Sequence, residues 1–166
     1  MTSLKPGDLV LFSHTRFFDK LVRWFTNSEF SHAGIVYEIG EKYILVGEAW
    51  GTGFDIRKRR VKEIYSCRVR RSSIDLVDVL PVIKKYVGSP YDKLNIFGLV
   101  FYKYFRIKFF ETSANNLTCS EASARFFYDS SNKGINFEKE FSKPYDYITP
   151  ADLSLSNQLY DLDIHL

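Results

Sequence analysis

The sequence predicts an α+β protein in which an antiparallel sheet or small barrel packs against helices. Three patterns predict this class: an apolar run near the start of the chain, two β-rich runs joined by a glycine turn, and later segments with helical periodicity. The chain has 166 residues, is 45% hydrophobic and is 17% aromatic, which is enough to bury one substantial core. We therefore expect a single domain that spans residues 1–166.

The first strand and the first helix are predicted close to the start of the chain. Residues 9–12 read Leu-Val-Leu-Phe, a continuous apolar run typical of a buried strand, and a Pro-Gly-Asp turn precedes them. Apolar side chains then recur at three- and four-residue spacing, at Phe18, Leu21, Val22 and Phe25. We expect a helix that ends near Thr26, with Ser13 or Thr15 as its N-cap.

A hairpin is predicted next, because a turn at Gly40 separates two β-rich runs, residues 33–39 and 43–50. With a three-residue loop at 39–41, antiparallel counting places His32 directly opposite Glu48, on the same face of the sheet. A two-residue loop would place the two side chains on opposite faces, because a one-residue shift inverts every side chain. We expect the three-residue loop.

Further strands are expected at residues 54–56 and 64–70, where β-branched and aromatic residues recur. Residues 74–87 carry helical periodicity, but Pro81 should kink this helix or divide it in two. Gly88 is a natural residue to end it. These segments complete the expected sheet and supply one of the helices that cover it.

Cys119 is the candidate nucleophile. Thr118 and Glu121 predict a capping box that starts a helix over residues 118–128 and places Cys119 in its first turn. Unpaired backbone N–H groups at that position favour a thiolate and are candidates to stabilise an oxyanion. The alternative is a buried structural cysteine. We expect Cys67, on a predicted strand, to be such a core residue, and it serves as an internal control.

His32 is the candidate base among three histidines, the others being His14 and His165. It begins a strand whose partner strand carries a carboxylate, and a base needs a third group to fix its tautomer. Glu48 lies in an apolar stretch, where a carboxylate requires a partner. The alternatives are a structural histidine at the end of a strand and an edge glutamate that reaches water.

Charge and motifs restrict the remaining classes of function. The net charge of +3 does not by itself indicate nucleic acid, and none is expected as a partner. A basic run consists of Arg57, Lys58, Arg59, Arg60 and Lys62. It is interpreted either as a solvated strand edge or as a surface for an anionic partner. No CxxC, HExxH or phosphate-loop spacing is present, so we expect no metal site and no cofactor.

Residues 94–110 are aromatic, and Lys103, Arg106 and Lys108 interrupt them, which leaves an apolar run too short to span a bilayer. This segment either packs internally or lies on an anionic membrane surface. No secretory signal begins the chain, so we expect a cytoplasmic protein, with virion or lysis-dependent delivery left open. Two cysteines are too few for a disulfide framework.

Six segments, in this order, resemble one known family: residues 7–12, 31–36, 47–49, 88–92, 118–121 and 149–153. Together they are similar to the circularly permuted NlpC-type papain-like cysteine hydrolases, which are related to lecithin retinol acyltransferase-like proteins. In this permuted group the histidine precedes the cysteine, as it does here. The resemblance implies a permuted papain-like fold, with Cys119 as nucleophile, His32 as base and Glu48 as the third polar residue.

The resemblance also implies a substrate-binding role for Tyr91, which falls where members often place an active-site tyrosine. The alternative for Tyr91 is a buried ring whose hydroxyl bonds the backbone. Ser31 and Ser120, the neighbours of the candidate base and nucleophile, are expected to contact substrate as well. The resemblance does not fix the segment 94–116, where we expect specificity to be determined.

The expected function is a thiol-dependent amidase or peptidase that works through a thioester intermediate. The first alternative is a lipid acyl hydrolase or acyltransferase at a membrane surface, and the second is a non-catalytic binding module of the same fold. Expected substrates are a small peptide, an amino-acid amide or an acyl lipid. The bond cleaved and the oligomeric state are left open.

Overall fold

Six antiparallel strands form one open sheet in the computed structural model, which describes residues 3–13, 17–92 and 116–164. The strands lie in the order β4-β3-β2-β1-β5-β6, so that β4 and β6 are its edges. Their bounds are β1 Leu9–Phe12, β2 His32–Ile39, β3 Tyr43–Trp50, β4 Gly53–Arg60, β5 Arg68–Ser72 and β6 Leu159–Leu162.

Helices interrupt and follow the strands: α1 Phe17–Thr26, α2 Val61–Tyr65, α3 Val79–Tyr86, α4 Cys119–Ser130, α5 Phe137–Phe141, a 3-10 turn at Tyr145–Tyr147 and α6 Pro150–Leu155. The predicted α+β class, with an antiparallel sheet packed against helices that include the cysteine-bearing one, is confirmed. Within the described ranges, no helix combines the length and apolarity that a bilayer crossing needs.

Apolar side chains cover both faces of the sheet, as the alternation along β1 shows. Leu9 and Leu11 belong to the larger cluster, which includes Phe126 and Phe127 of α4. Val10 and Phe12 belong to a smaller cluster on the other face; its other buried members are Leu4, Val36, Ile44, Val46, Ile64, Val69, Leu162 and Ile164. All four residues of β1 are therefore buried, because successive side chains enter different cores.

The β2–β3 hairpin forms as predicted, but its register differs. Ile39 pairs with Ile44, so four residues rather than three lie between the last paired positions. From that pair alone, antiparallel counting would place His32 and Glu48 on opposite faces. A bulge at Tyr37 shifts the register by one residue, so that Ile35 pairs with Gly47 and Gly34 faces Glu48.

The bulge returns His32 and Glu48 to one face, offset diagonally by two residues. The predicted shared face is correct, and the predicted direct pairing is wrong, because the longer loop and the bulge each move the register. Gly34 provides the close approach between the strands: a Cβ there would lie 2.6 Å from Val46 Cγ1 and 3.3 Å from Glu48 Cβ.

Two other segments differ from their predictions. The strand expected at 64–70 is instead the end of α2 followed by β5, and Cys67 lies between them. The helix expected at 74–87 is α3, which begins only at Val79. Pro81 is its third residue and causes no break, because first-turn N–H groups have no helical acceptor. Gly88 follows α3 with φ +89°, as predicted for a glycine that ends a helix.

The N-terminal elements match their predictions where they can be compared. β1 has the predicted bounds, and α1 ends at Thr26. The candidate N-cap Thr15, the histidines His14 and His165, and the aromatic segment 94–110 lie outside the described residues.

Candidate active site

Cys119 is the first residue of α4, and the predicted capping box fixes that helix end. The Thr118 hydroxyl accepts the backbone N–H of Glu121 at 3.2 Å, and the Glu121 carboxylate accepts the N–H of Thr118 at 3.4 Å. The thiol therefore lies at a helix N-terminus with two of the terminal donors already satisfied. It is 7% exposed.

His32 is the first residue of β2 and connects the cysteine to the sheet. Its imidazole is buried, and Nε2 lies 2.6 Å from Oε2 of Glu48. The same ring interacts with the Cys119 side chain, and each of the two residues shifts the pKa of the other. Because Nε2 faces the carboxylate, Nδ1 is the ring nitrogen left for the sulfur. The structure thus brings the three predicted residues into one chain of contacts.

The electrostatics of this chain favour a charged pair. Burial acts to raise the pKa of Cys119, but the charge and hydrogen bond of His32 and the N–H groups of Ala33 and Ser120 outweigh it, so the pKa falls. Burial acts to lower the pKa of His32, but Cys119 and then Glu48 raise that pKa to about 9. Near neutral pH these directions favour a thiolate beside an imidazolium.

Arg59 is a member of the site that sequence reasoning missed. Its guanidinium forms two hydrogen bonds with the Glu48 carboxylate, both 2.8 Å long, and a third of 3.0 Å with Glu63. Burial acts to raise the pKa of Glu48, but His32 and Arg59 lower it to about 2. Glu48 therefore stays ionised and holds the imidazole.

We predicted Arg59 only as part of a basic run on a strand edge. The signal that could have identified it is the buried carboxylate of Glu48 on the neighbouring strand, which needs a cation as well as the histidine. β4 pairs with β3 along its whole length, with Arg59 opposite Ile44, so that Arg59 and Glu48 share a face.

Aromatic rings enclose the imidazole. The Trp50 ring lies 4.8 Å from the ring of His32, and the Phe12 ring lies 5.5 Å from it on the neighbouring strand. The Arg59 guanidinium packs on both, at 5.1 Å from the Phe12 ring and 5.7 Å from the Trp50 ring. These contacts fix the ring plane of the candidate base.

Cys67 differs from Cys119 in each of these respects. It is half-buried rather than fully buried, and its thiol donates to the backbone carbonyl of Glu63 at 3.1 Å. Burial raises its pKa to about 11, helped by the carboxylate of Glu63. It packs at the margin of the smaller core, as an unreactive cysteine would.

The predicted substrate-binding residues lie near the triad in different ways. Ser31 is buried directly before His32, and its N–H donates to the carbonyl of Phe12 at 2.9 Å. The Ser120 hydroxyl donates to the carbonyl of Ile148 at 2.6 Å, and its backbone N–H helps to lower the pKa of Cys119. Tyr91 bridges to Leu117, two residues before Cys119.

Metal ligands are not grouped in the part of the chain that the structure describes: no three His, Cys, Asp or Glu side chains there could hold an ion together. At the triad itself, the Glu48 oxygens already accept from His32 and from the Arg59 guanidinium. A cation at Glu48 would have to displace Arg59, so this donor set does not fit a metal.

No protein-family model matches the chain, and no curated protein matches it. Among solved structures, it is similar to that of the metalloprotein YiiX from Escherichia coli O157:H7, a DUF1105 protein, with a TM-score of 0.64. The match covers 97% of each chain at 17% sequence identity. At this identity, the likeness shows that the two chains share a fold, and it shows the fold alone.

Proposed function

We propose that this chain is a thiol-dependent hydrolase of the permuted papain-like type, an amidase or peptidase. Cys119 is its nucleophile, His32 its base, and Glu48 the group that orients the base. One observation carries the proposal: a thiol at a helix N-terminus contacts an imidazole whose other nitrogen is held by a buried, ionised carboxylate. This is the arrangement that activates a nucleophile through a base and a third group.

The reaction follows from the charges of the pair. The Cys119 thiolate attacks the carbonyl carbon, and the carbonyl electron pair moves to oxygen. When the tetrahedral intermediate collapses, the C–N bond breaks, and the His32 imidazolium gives its proton to the leaving amine. Neutral His32 then takes a proton from water, which attacks the thioester and releases the acid and the thiolate.

Backbone donors of the first turn of α4 are assigned to the oxyanion. The Ser120 N–H helps to lower the pKa of Cys119, and the oxyanion is the oxygen on the carbon that the Cys119 sulfur attacks. The partial positive charge of the helix end adds to this stabilisation without a further side chain.

No step of the proposed reaction uses a metal ion. YiiX is described as a metalloprotein, but the Glu48 carboxylate of this chain is already held by Arg59 and His32. Activity measured with and without a chelator tests this part of the proposal: we expect the rate of substrate turnover to be the same in both conditions.

Selective labelling tests the nucleophile directly. We expect iodoacetamide to modify Cys119 much faster than Cys67 near neutral pH, because only Cys119 has a lowered pKa. Cys119→Ala and Cys119→Ser should abolish turnover of a peptide and amino-acid amide panel with the fold retained by circular dichroism. Cys67→Ala is the matched control and should keep full activity. Equal, slow labelling of both thiols would instead favour a non-catalytic binding module.

A lipid acyl hydrolase or acyltransferase is the second candidate. The same thiolate attacks an ester, and an alcohol or amine can resolve the thioester in place of water. The observation that favours it is the pair of cations beside Trp50, Arg57 and Lys58, which would suit an anionic lipid surface. Co-sedimentation with anionic liposomes that is lost at high salt, together with turnover of an acyl lipid but of no amide, would select this candidate.

A further inference from the structure

A basic cavity adjoins the candidate triad on the side of Glu48. It has a volume of about 560 Å³, and its lining is Trp50, Gly51, Thr52, Arg57, Lys58 and Arg59. Among the described residues, the lining contains three cations and no carboxylate. Of these cations, only Arg59 is neutralised by a described residue, since it pairs with Glu48 and Glu63.

Arg57 and Lys58 line the cavity and form no ion pair with any described residue. Lys58 also lies over the Tyr43 ring, with Nζ 5.9 Å from the ring centre. Arg57 is half-buried, and one Nη donates to the Thr52 hydroxyl at 2.9 Å. Its Nε is buried without a hydrogen-bond partner within the described part of the chain. The nearest acid on the strand, Asp55, is exposed, lies outside the lining and accepts the N–H of Ile56.

The Arg57 guanidinium lines the cavity and has N–H groups beyond the one that it gives to Thr52, and guanidinium N–H groups match the oxygens of a carboxylate or a phosphate. Lys58, which also lines the cavity, adds a second positive charge. The chemistry that this cavity recognises is therefore that of an oxyanion.

The cavity shares two walls with the triad. Trp50 lines it and also packs on the ring of His32, while Arg59 lines it and also holds Glu48. A group bound there lies against the same side chains that position the base.

We propose that this cavity binds an anionic group of the substrate, a carboxylate or a phosphate, and so selects acyl compounds that carry a negative charge away from the scissile bond. This inference rests on the proposed hydrolase function for its substrate role. The binding of the oxyanion itself does not depend on that function.

Kinetics with matched esters test the substrate role. The anionic substrates are para-nitrophenyl hemiesters of straight dicarboxylic acids, from succinate to suberate. Each is compared with the neutral alkanoate ester of the same length. A second anionic series carries a phosphonate in place of the free carboxylate. We expect one chain length at which kcat/KM of the anionic ester exceeds that of the neutral ester about tenfold, since hydrogen bonds to charged groups supply at least this factor. Whether the carboxylate or the phosphonate ester has the higher kcat/KM then shows which of the two anionic groups the cavity prefers.

Two variants make the test specific. Arg57→Gln and Lys58→Gln together should remove the preference, so that kcat/KM of each anionic ester falls to that of the neutral ester of the same length. Arg60→Gln removes one positive charge from an exposed residue of the same strand that does not line the cavity, and it should keep the preference. Equal kcat/KM for anionic and neutral esters at every length in the unsubstituted protein would overturn the substrate role.

Titration calorimetry with inorganic phosphate and with succinate at constant ionic strength separates this inference from the hydrolase proposal. We expect saturable binding of at least one anion, weakened about tenfold in the double variant and unchanged in Arg60→Gln. If no ester is hydrolysed but this pattern holds, the hydrolase function fails and the oxyanion site stands. If binding is absent, or equal in the two sets of variants, the site is rejected.

Discussion

Glu48 is the residue on which the geometry of the candidate site depends. Its side chain is fully buried, and its two oxygens accept hydrogen bonds from His32 and from the Arg59 guanidinium. A buried carboxylate needs such partners, because moving an unpaired carboxylate out of water costs roughly several kcal/mol. The ion pair thus explains how an acid on an apolar strand can orient the candidate base.

Replacing Arg59 tests this at the scale of one side chain. In Arg59→Gln, the pKa of Glu48 should rise towards its ordinary value, and His32 loses part of its anionic support. We expect the rate of Cys119 alkylation near neutral pH to fall at least about tenfold. The free energy of unfolding should fall by about 2 kcal/mol, because Glu48 keeps only one partner. Alkylation kinetics followed by mass spectrometry and urea denaturation measure the two effects.

Arg60→Gln is the control for the Arg59 experiment. Arg60 is the next residue on β4 and is exposed, so its loss should change the stability by less than about 0.5 kcal/mol and leave alkylation unaltered. If both substitutions slowed alkylation equally, general surface charge rather than the Glu48 ion pair would account for the reactivity of Cys119.

At the scale of elements, two capping boxes of the same design allow a matched comparison. Thr118 caps α4, which bears Cys119, and Thr149 caps α6, where its hydroxyl accepts the N–H of Asp152 at 3.2 Å. Thr118→Ala and Thr149→Ala should each lower the free energy of unfolding by about 1 kcal/mol. Only Thr118→Ala should slow alkylation of Cys119, by several-fold, because it loosens the helix end beside the sulfur. An equal effect of both variants on alkylation would contradict the assigned role of the α4 terminus.

Local patterns predicted these elements well, since their causes are local. The apolar run of β1 and the Thr118–Glu121 capping box appear in the structure where the sequence places them. The hairpin register could not be obtained in this way. Whether His32 shares a face with Glu48 depends on the length of the loop and on the bulge at Tyr37. A tyrosine in a strand does not by itself indicate whether its position is paired or bulged.

At the scale of the whole molecule, contacts between distant segments escaped prediction for a different reason. Arg59 resembled its exposed neighbours in the basic run, and only the pairing of β3 with β4 shows that its side chain lies on the face of Glu48. The contact between His32 and Cys119 was expected from the family resemblance and from the chemistry of the two residues. The packing of α4 against the sheet brings them together.

Two buried carboxylates give the folded molecule opposite responses to pH. The pKa of Glu48 is lowered from 4.5 to about 2, so its stabilisation is present above about pH 4.5 and is lost as the pH falls towards 2. Burial raises the pKa of Glu121 from 4.5 to about 7, despite the opposing effect of Arg125. Its contribution is therefore fully present below about pH 4.5 and is lost as the pH rises towards 7.

Chemical denaturation across this pH range, with Glu48→Gln and Glu121→Gln, tests both signs. The stability advantage of the unsubstituted protein over Glu48→Gln should shrink by about 3 kcal/mol as the pH falls from 4.5 to 2, because protonation removes the ion pair that the glutamine lacks. Relative to Glu121→Gln, the unsubstituted protein should instead lose about 3 kcal/mol as the pH rises from 4.5 to 7. The differences between proteins cancel the titration of the other carboxylates. If both stability differences changed with pH in the same direction, one of these carboxylates would not lie in the environment described. If the stability difference for Glu48→Gln did not change with pH, Glu48 would not be the ionised carboxylate of the candidate site.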